Sequence, residues 1–191
     1  MPKFVLFLLL LAGAQLGLQA QSDSAVVRSL VASPEQLGEL TPGPLLDATQ
    51  LEAKPLFTEL GAALADPANV YKLSLVDSRL REVPAEIFRL VNLQYLNLGE
   101  NKIRILPDEM AKLTNLQTLV LTNNKLRVLP ESMKDLENLR RLYLGENKIK
   151  EMPAFVGGLS YLRYLDLHGN YVTLYDIKRT QYMLPRCEIN Y

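Results

Sequence analysis

One pattern recurs every 23 residues through more than half of this 191-residue chain, and little else about the sequence constrains it as strongly. Leu93, Leu96, Leu98, Asn101 and Ile103 spell L-x-x-L-x-L-x-x-N-x-I. The same spacing returns at Leu116, Leu119, Leu121, Asn124 and Leu126, then at Leu139, Leu142, Leu144, Asn147 and Ile149. A further copy falls on Leu162, Leu165, Leu167, Asn170 and Val172. One step backwards, Val70, Leu73, Leu75, Ser78 and Leu80 form a degenerate first copy with Ser in place of Asn. A fixed period of this length marks a chain built from one supersecondary unit used repeatedly.

The second half of each unit is as regular. Pro84, Pro107, Pro130 and Pro153 each follow an apolar residue (Val83, Leu106, Leu129, Met152). Inward candidates come next at Ile87, Met110, Met133 and Val156, and again three residues on at Leu90, Leu113, Leu136 and Leu159. The L-x-L core predicts a short strand with alternate side chains buried. The apolar pair just after Pro predicts one short helical turn with an inward face. Neither piece buries its apolar side alone, so the copies must stack into a continuous core. The Asn of each copy has a structural task, because an amide both donates and accepts and can bridge neighbouring sharp turns. Backbone groups left unpaired there would each cost about 1–3 kcal/mol.

On these residues, Val70 to Tyr191 resembles a leucine-rich repeat array. The 23-residue spacing and the Leu-Pro element are more similar to the bacterial and Ras-group intracellular repeats than to the cysteine-flanked extracellular vertebrate type. The resemblance implies an α/β repeat solenoid, an arc with short parallel strands on its concave face. Five copies are expected over residues 70–172. It also implies recognition of a protein or peptide on that face.

The flanks read as a leader, a linker and two caps. Residues 1–20 hold one basic residue, Lys3, an apolar run from Phe4 and small residues before Gln21, which predicts a signal peptide cleaved after Ala20. Phe4–Leu18 is interrupted by Gln15 and is shorter than the roughly 20 residues of a membrane span, although a retained N-terminal anchor stays open as an alternative. Residues 21–52 are rich in Ser, Pro, Gly and Ala, as in Thr41-Pro42-Gly43-Pro44, and are expected to be a flexible linker. Leu56, Phe57, Leu60, Ala63 and Leu64 have helical spacing, so residues 53–69 are expected to form a helical N-terminal cap. Residues 173–191 are expected to form a C-terminal cap of a helix around Leu174 and Ile177 and a last strand ending at Tyr191. There, Leu184, Cys187 and Ile189 would repeat the core spacing 22 residues after Leu162, Leu165 and Leu167, placing Cys187 in a core leucine slot.

Composition narrows the function classes. Without residues 1–20 the chain has 20 basic and 21 acidic residues, a formal charge of −1, which supplies no general field for nucleic acid. One Cys and no N-x-S/T sequon leave no disulfide caps or glycans of the eukaryotic secreted kind. A secreted protein, or one of the bacterial periplasm or cell envelope, is expected, monomeric and without an integral membrane span after signal cleavage. No catalytic, cofactor or metal constellation emerges: a single His168 and a single Cys187 build no common zinc site. Glu100 and Glu146, equivalent positions two strands apart, would stand roughly 10 Å apart on an open surface, beyond the usual glycosidase separation.

The outward strand positions are the free variables of such a repeat. The third-position row is Lys72, Tyr95, Thr118, Arg141 and Tyr164; the fifth is Ser74, Asn97, Val120, Tyr143 and Asp166; the seventh is Val76, Gly99, Thr122, Gly145 and His168. Tyr and Arg bury large area with a polar handle and are enriched at binding hot spots. Tyr95, Asn97, Arg141, Tyr143, Tyr164, Asp166 and His168 are therefore the candidate binding patch, with Gly99 and Gly145 leaving room for a partner near the backbone. Tyr also simply suits a sheet surface. The reading is a non-enzymatic module for a protein or peptide partner; a carbohydrate or cell-wall ligand is the second reading, since exposed Tyr, Asn, Asp and Arg would serve it too. Two basic rows, Arg79, Lys102, Lys125, Lys148 and Arg81, Arg104, Arg127, Lys150, could draw an acidic partner. Glu82, Glu100, Asp108, Glu109, Glu131 and Glu146 favour instead a solvated surface laced with salt bridges.

Overall fold

The computed structural model describes residues 42–191; the expected signal peptide and residues 21–41 of the expected linker lie outside them. Seven parallel strands form one sheet in strict chain order. They are β1 (Leu56–Phe57), β2 (Lys72–Ser74), β3 (Tyr95–Asn97), β4 (Thr118–Val120), β5 (Arg141–Tyr143), β6 (Tyr164–Asp166) and β7 (Glu188–Asn190). From β2 to β6 the pairing advances by the sequence period, Lys72 to Tyr95 to Thr118 to Arg141 to Tyr164. The core leucines of β3 to β5 are fully buried, as are Met110, Met133 and Val156.

The post-proline segments are 3-10 helices: Ala85–Arg89, Asp108–Lys112, Glu131–Asp135 and Ala154–Gly158. Each proline sits one residue ahead of the turn, its carbonyl accepting from the inward apolar residue, as Pro107 does from Met110 at 3.2 Å. Five residues suffice to cross from one flank to the other, and the tighter 3-10 winding is favoured in such short pieces.

The asparagine ladder forms as expected. Asn101 Nδ2 donates to the carbonyls of Leu75 (2.9 Å), Leu98 (3.0 Å) and Gly99 (2.9 Å), while its Oδ1 accepts from Leu80 N at 2.9 Å. Asn124, Asn147 and Asn170 repeat the arrangement one unit on. Ser78 is too short for the task and bonds only to its neighbour's carbonyl, Val76 O. The residue ahead of each ladder position carries a left-handed backbone: Asp77, Glu100, Asn123, Glu146 and Gly169, with φ of 49, 56, 54, 54 and 64°. Four of the five are not glycine, at a cost of roughly 1–2 kcal/mol each.

The N-terminal end departs from expectation. Pro55 falls in the first turn of the expected helix, where proline is tolerated; the turns after it give way to sheet pairing, with Leu56 and Phe57 standing opposite Lys72 and Leu73. The chain instead makes a short helix α1 (Ala48–Glu52), pairs β1 with β2, and only then forms α2 (Leu60–Leu64). Residues 42–52 are no free linker either. Buried side-chain amides of the second and third repeats hold them: Leu46 N donates to Gln94 Oε1 (3.0 Å), Gln117 Nε2 to Leu46 O (2.9 Å) and Asn115 Nδ2 to Gly43 O (2.9 Å).

The C-terminal end has the expected helix, α3 (Leu174–Met183), capped by Thr173, whose hydroxyl accepts from Asp176 N at 3.2 Å. Its far end approaches Gly157 so closely that a side chain there would collide with Met183. The register of β7 differs from the expected one. Ile189 stands opposite Leu165, a step of 24 residues rather than 22. Cys187 is buried, yet it precedes the strand and does not fill the leucine slot. Among the described residues, no helix is long and apolar enough to cross a membrane.

Candidate binding face

Parallel strands in constant register bring the outward side chains into columns about 4.8 Å apart. Against one end of these columns the held segment 42–52 builds a wall. The result is a groove of about 510 Å³, with Leu51 and Glu52 of α1 on one side and Tyr95, Thr118, Val120, Arg141 and Tyr143 beneath. Lys72, Arg140 and Arg163 also line it, so with Arg141 four cations face a single carboxylate, Glu52. Lys72 also ties the wall to the sheet, its Nζ donating to Glu52 O at 2.9 Å.

The seven residues expected to form one patch divide into three groups. Tyr95, Arg141 and Tyr143 line the groove. Tyr164 touches Tyr143, with ring centroids 5.2 Å apart and planes tilted by 46°, so the two rings form one apolar step. Burial, then the nearby charge of Asp166, raises the Tyr164 phenol above its ordinary value, keeping it a neutral donor.

Asp166 and His168 form a separate unit. Asp166 is buried, and its Oδ1 accepts from His168 Nδ1 (2.7 Å) and Asn190 Nδ2 (2.8 Å). His168 Nε2 lies 3.7 Å from Glu146 Oε1. The hydrogen bond to Asp166, reinforced by its charge, raises the His168 pKa, with desolvation opposing and Glu146 adding a little. Asn97 is occupied locally, its Oδ1 accepting from Gly99 N at 2.8 Å. The expected free space over Gly99 and Gly145 is also taken: Asn97 Oδ1 sits over the first, and the His168 ring and Asp166 over the second.

Sequence reasoning missed both the wall and the two flanking arginines. Arg140 and Arg163 occupy the second repeat position, which holds the buried amides Gln94 and Gln117 in earlier copies. The change from amide to guanidinium marks where the held segment stops covering the strands, and it was readable in the sequence. The basic rows also differ from expectation. Among the described residues there are three salt bridges, and none involves the eight Arg and Lys of those rows.

Neither Cys187 nor His168 lines the groove. Burial pushes the Cys187 thiol up to about 11, so it is no thiolate nucleophile near neutral pH. The two nitrogens of His168 face Asp166 and Glu146. Among the described residues no group of three His, Cys, Asp or Glu gathers to hold a metal ion.

A solenoid of short parallel strands with an asparagine ladder, presenting a walled polar-aromatic face, defines a repeat scaffold. Residues 70–178 match the family description "Leucine-rich repeat region", and the chain belongs to that family. Among solved structures it is similar to a leucine-rich repeat protein of Leptospira interrogans, with 31% identity and a TM-score of 0.60, over 69% of this chain and 39% of that one. It is also similar to internalin C2 of Listeria monocytogenes, with 25% identity and a TM-score of 0.59, over 70% of this chain and 56% of the other. A further internalin of that organism, 21% identical with a TM-score of 0.53 over 70% of this chain and 37% of that one, shares the fold. The matches thus span about two fifths to just over half of these proteins' lengths. No curated protein sequence matches the chain.

Proposed function

We propose that this chain is an exported, non-enzymatic interaction module that binds a protein or peptide on its concave face. The observation that carries the reading is the walled groove, where Tyr95, Arg141 and Tyr143 lie beneath and α1 supplies a side. Tyr and Arg at the centre of a recess are the residue types that dominate binding energy. The excess of cations in the lining favours a partner segment bearing carboxylates. The leader-like residues 1–20 support a secreted or envelope location.

The test is capture of partners from an envelope extract of the source organism, with and without prior protease treatment of the extract. Binding is expected to disappear after protease treatment. Tyr143→Ala is expected to weaken it by about 2 kcal/mol, near thirtyfold, as truncation of a hot spot does. Lys134→Ala, on the 3-10 segment Glu131–Asp135 and away from the groove, is expected to change it little. Equal capture by Tyr143→Ala and the parent would remove this face from consideration, and capture that survives the protease yet is lost in Tyr143→Ala would point to a glycan ligand in the groove.

A further inference from the structure

The strongest unassigned feature lies on the flank after the strands. After each ladder asparagine the chain is tied to the preceding copy. Lys102 N donates to Leu80 O (2.7 Å), Lys125 N to Ile103 O (2.8 Å) and Lys148 N to Leu126 O (2.8 Å). The eleventh residue of each unit points into the core: Ile103, Leu126 and Ile149 are fully buried. The tenth and twelfth residues on either side of it face outward, with Lys102, Arg104, Arg127 and Lys148 exposed and Lys125 half-buried, and these are the two basic rows.

Two adjoining concavities on this flank share Arg104 and Lys125. One, about 480 Å³, is lined by Arg81, Lys102, Arg104 and Lys125 alone. The other, about 530 Å³, adds Arg127 and Lys148 together with Ile105 and Val128. Six cations thus follow one another with no carboxylate lining either recess. Ile105 and Val128 are 71% and 57% exposed among them. The thirteenth position, which holds these two residues, is Glu82 and Glu151 in the flanking copies, so acid is absent from the middle of the strip.

We propose that this strip binds a linear acidic polysaccharide. Successive rows stand about 4.8 Å apart, well inside a Debye length of about 8 Å at physiological salt, so the cations act as one continuous field. A polysaccharide with one acid group per sugar places its charges at the length of a single ring, close to the row spacing. Other polyanions fit less well. An extended acidic peptide presents same-face carboxylates roughly 6.8 Å apart, and one strand of a DNA duplex presents phosphates about every 3.4 Å. Neither recess holds an aromatic side chain, so single-stranded nucleic acid has no platform for base stacking. Ile105 and Val128 offer apolar contact to the C–H faces of sugar rings. This surface is separate from the concave groove and does not depend on the function proposed for it.

The experiment is titration of the full chain with polygalacturonate, beside neutral dextran, poly-glutamate and a single-stranded oligonucleotide. Polygalacturonate is expected to bind, with affinity falling steeply as salt rises, and dextran is not. Arg104→Ala with Arg127→Ala is expected to reduce affinity about tenfold or more and to lower the salt slope by about two. Lys112→Ala with Lys134→Ala, the same charge change on the 3-10 segments, is expected to leave both unchanged. The proposal is overturned if the parent ignores polygalacturonate at low salt. Tighter binding of poly-glutamate or the oligonucleotide, or an equal loss in the control variant, would also overturn it.

Discussion

The two ends of the stack solve one problem with different chemistry. Each terminal repeat would otherwise show its apolar side to water. At the C-terminal end the cover is mainly apolar: α3 lays Ile177 against the stack, Met183 closes on Gly157, and Leu184 and Cys187 are buried behind it. At the N-terminal end β1 and α2 close the sheet, and an outer layer, residues 42–52, is held by amide hydrogen bonds from Gln94, Asn115 and Gln117. Helix α1 itself buries no residue. One end is sealed by packing, while the other carries a polar clamp that shapes the groove. A cover that also forms part of a binding surface keeps its polar groups in play.

This contrast predicts unequal responses to damage. Deleting residues 176–191 strips the packed cover and one strand pairing, so an aggregating or partly unfolded product is expected in size-exclusion and thermal-melt measurements. A cooperative melt close to that of the parent would show that α3 and β7 seal nothing. The polar end is expected to respond less. Gln94→Ala orphans Leu46 N and removes one of the two acceptors of Gln117 Nε2, leaving it Leu46 O, which accounts for about 1–3 kcal/mol by denaturant midpoint. Deleting residues 21–49 is expected to cost a comparable amount, although the sequence alone predicts a silent linker there. A silent deletion beside a damaging Gln94→Ala would mean that Gln94 matters to the repeat and not to the clamp.

The smallest effect separates the ends by pH. The bonds that Gln94, Asn115 and Gln117 make to residues 43 and 46 join amides and backbone groups alone, whereas Asn190 of β7 and His168 share Asp166 Oδ1. Because the folded-state pKa of His168 is raised, its contribution is complete below the unfolded value and fades as pH rises through the folded one. The parent is therefore expected to melt above His168→Gln by a wider margin near pH 5.5 than near pH 8.5, within about 1 kcal/mol because the ring is partly exposed. A margin that is flat, or that widens with pH, would assign the Asp166 pairing to hydrogen bonding alone.

The repeat body was legible because its constraint is periodic. Leu, Asn and Pro at fixed spacing leave one way to stack, and the strands β2 to β6 follow it residue for residue. The ends were less legible, since pairing with the first repeat strand drew Leu56 and Phe57 out of a run of five apolar residues at helical spacing. In β7, local Leu-Cys-Ile spacing suggested a register that three-dimensional pairing shifted by two residues. The site was half legible. Column membership placed Tyr95, Arg141 and Tyr143 together, but spacing does not reveal that Asn97 and Asp166 spend their acceptors on their own turns. The wall was hidden for another reason: its partners lie 48 to 72 residues further along the chain.

The asparagine ladder has a consequence for the order in which the molecule is made. Every ladder amide reaches back, Asn124 to Leu98 and Ile103, Asn147 to Leu121 and Leu126. A unit emerging from the ribosome is therefore still short of these bonds until its successor follows, 23 residues later. At synthesis rates of about 5–20 residues per second, each such wait lasts on the order of one to five seconds. Residues 43 and 46 wait longer, until Asn115 and Gln117 have been added. The growing chain thus advances with one incompletely bonded unit at its front, and Asp166 receives the amide of Asn190 only 24 residues after its own synthesis.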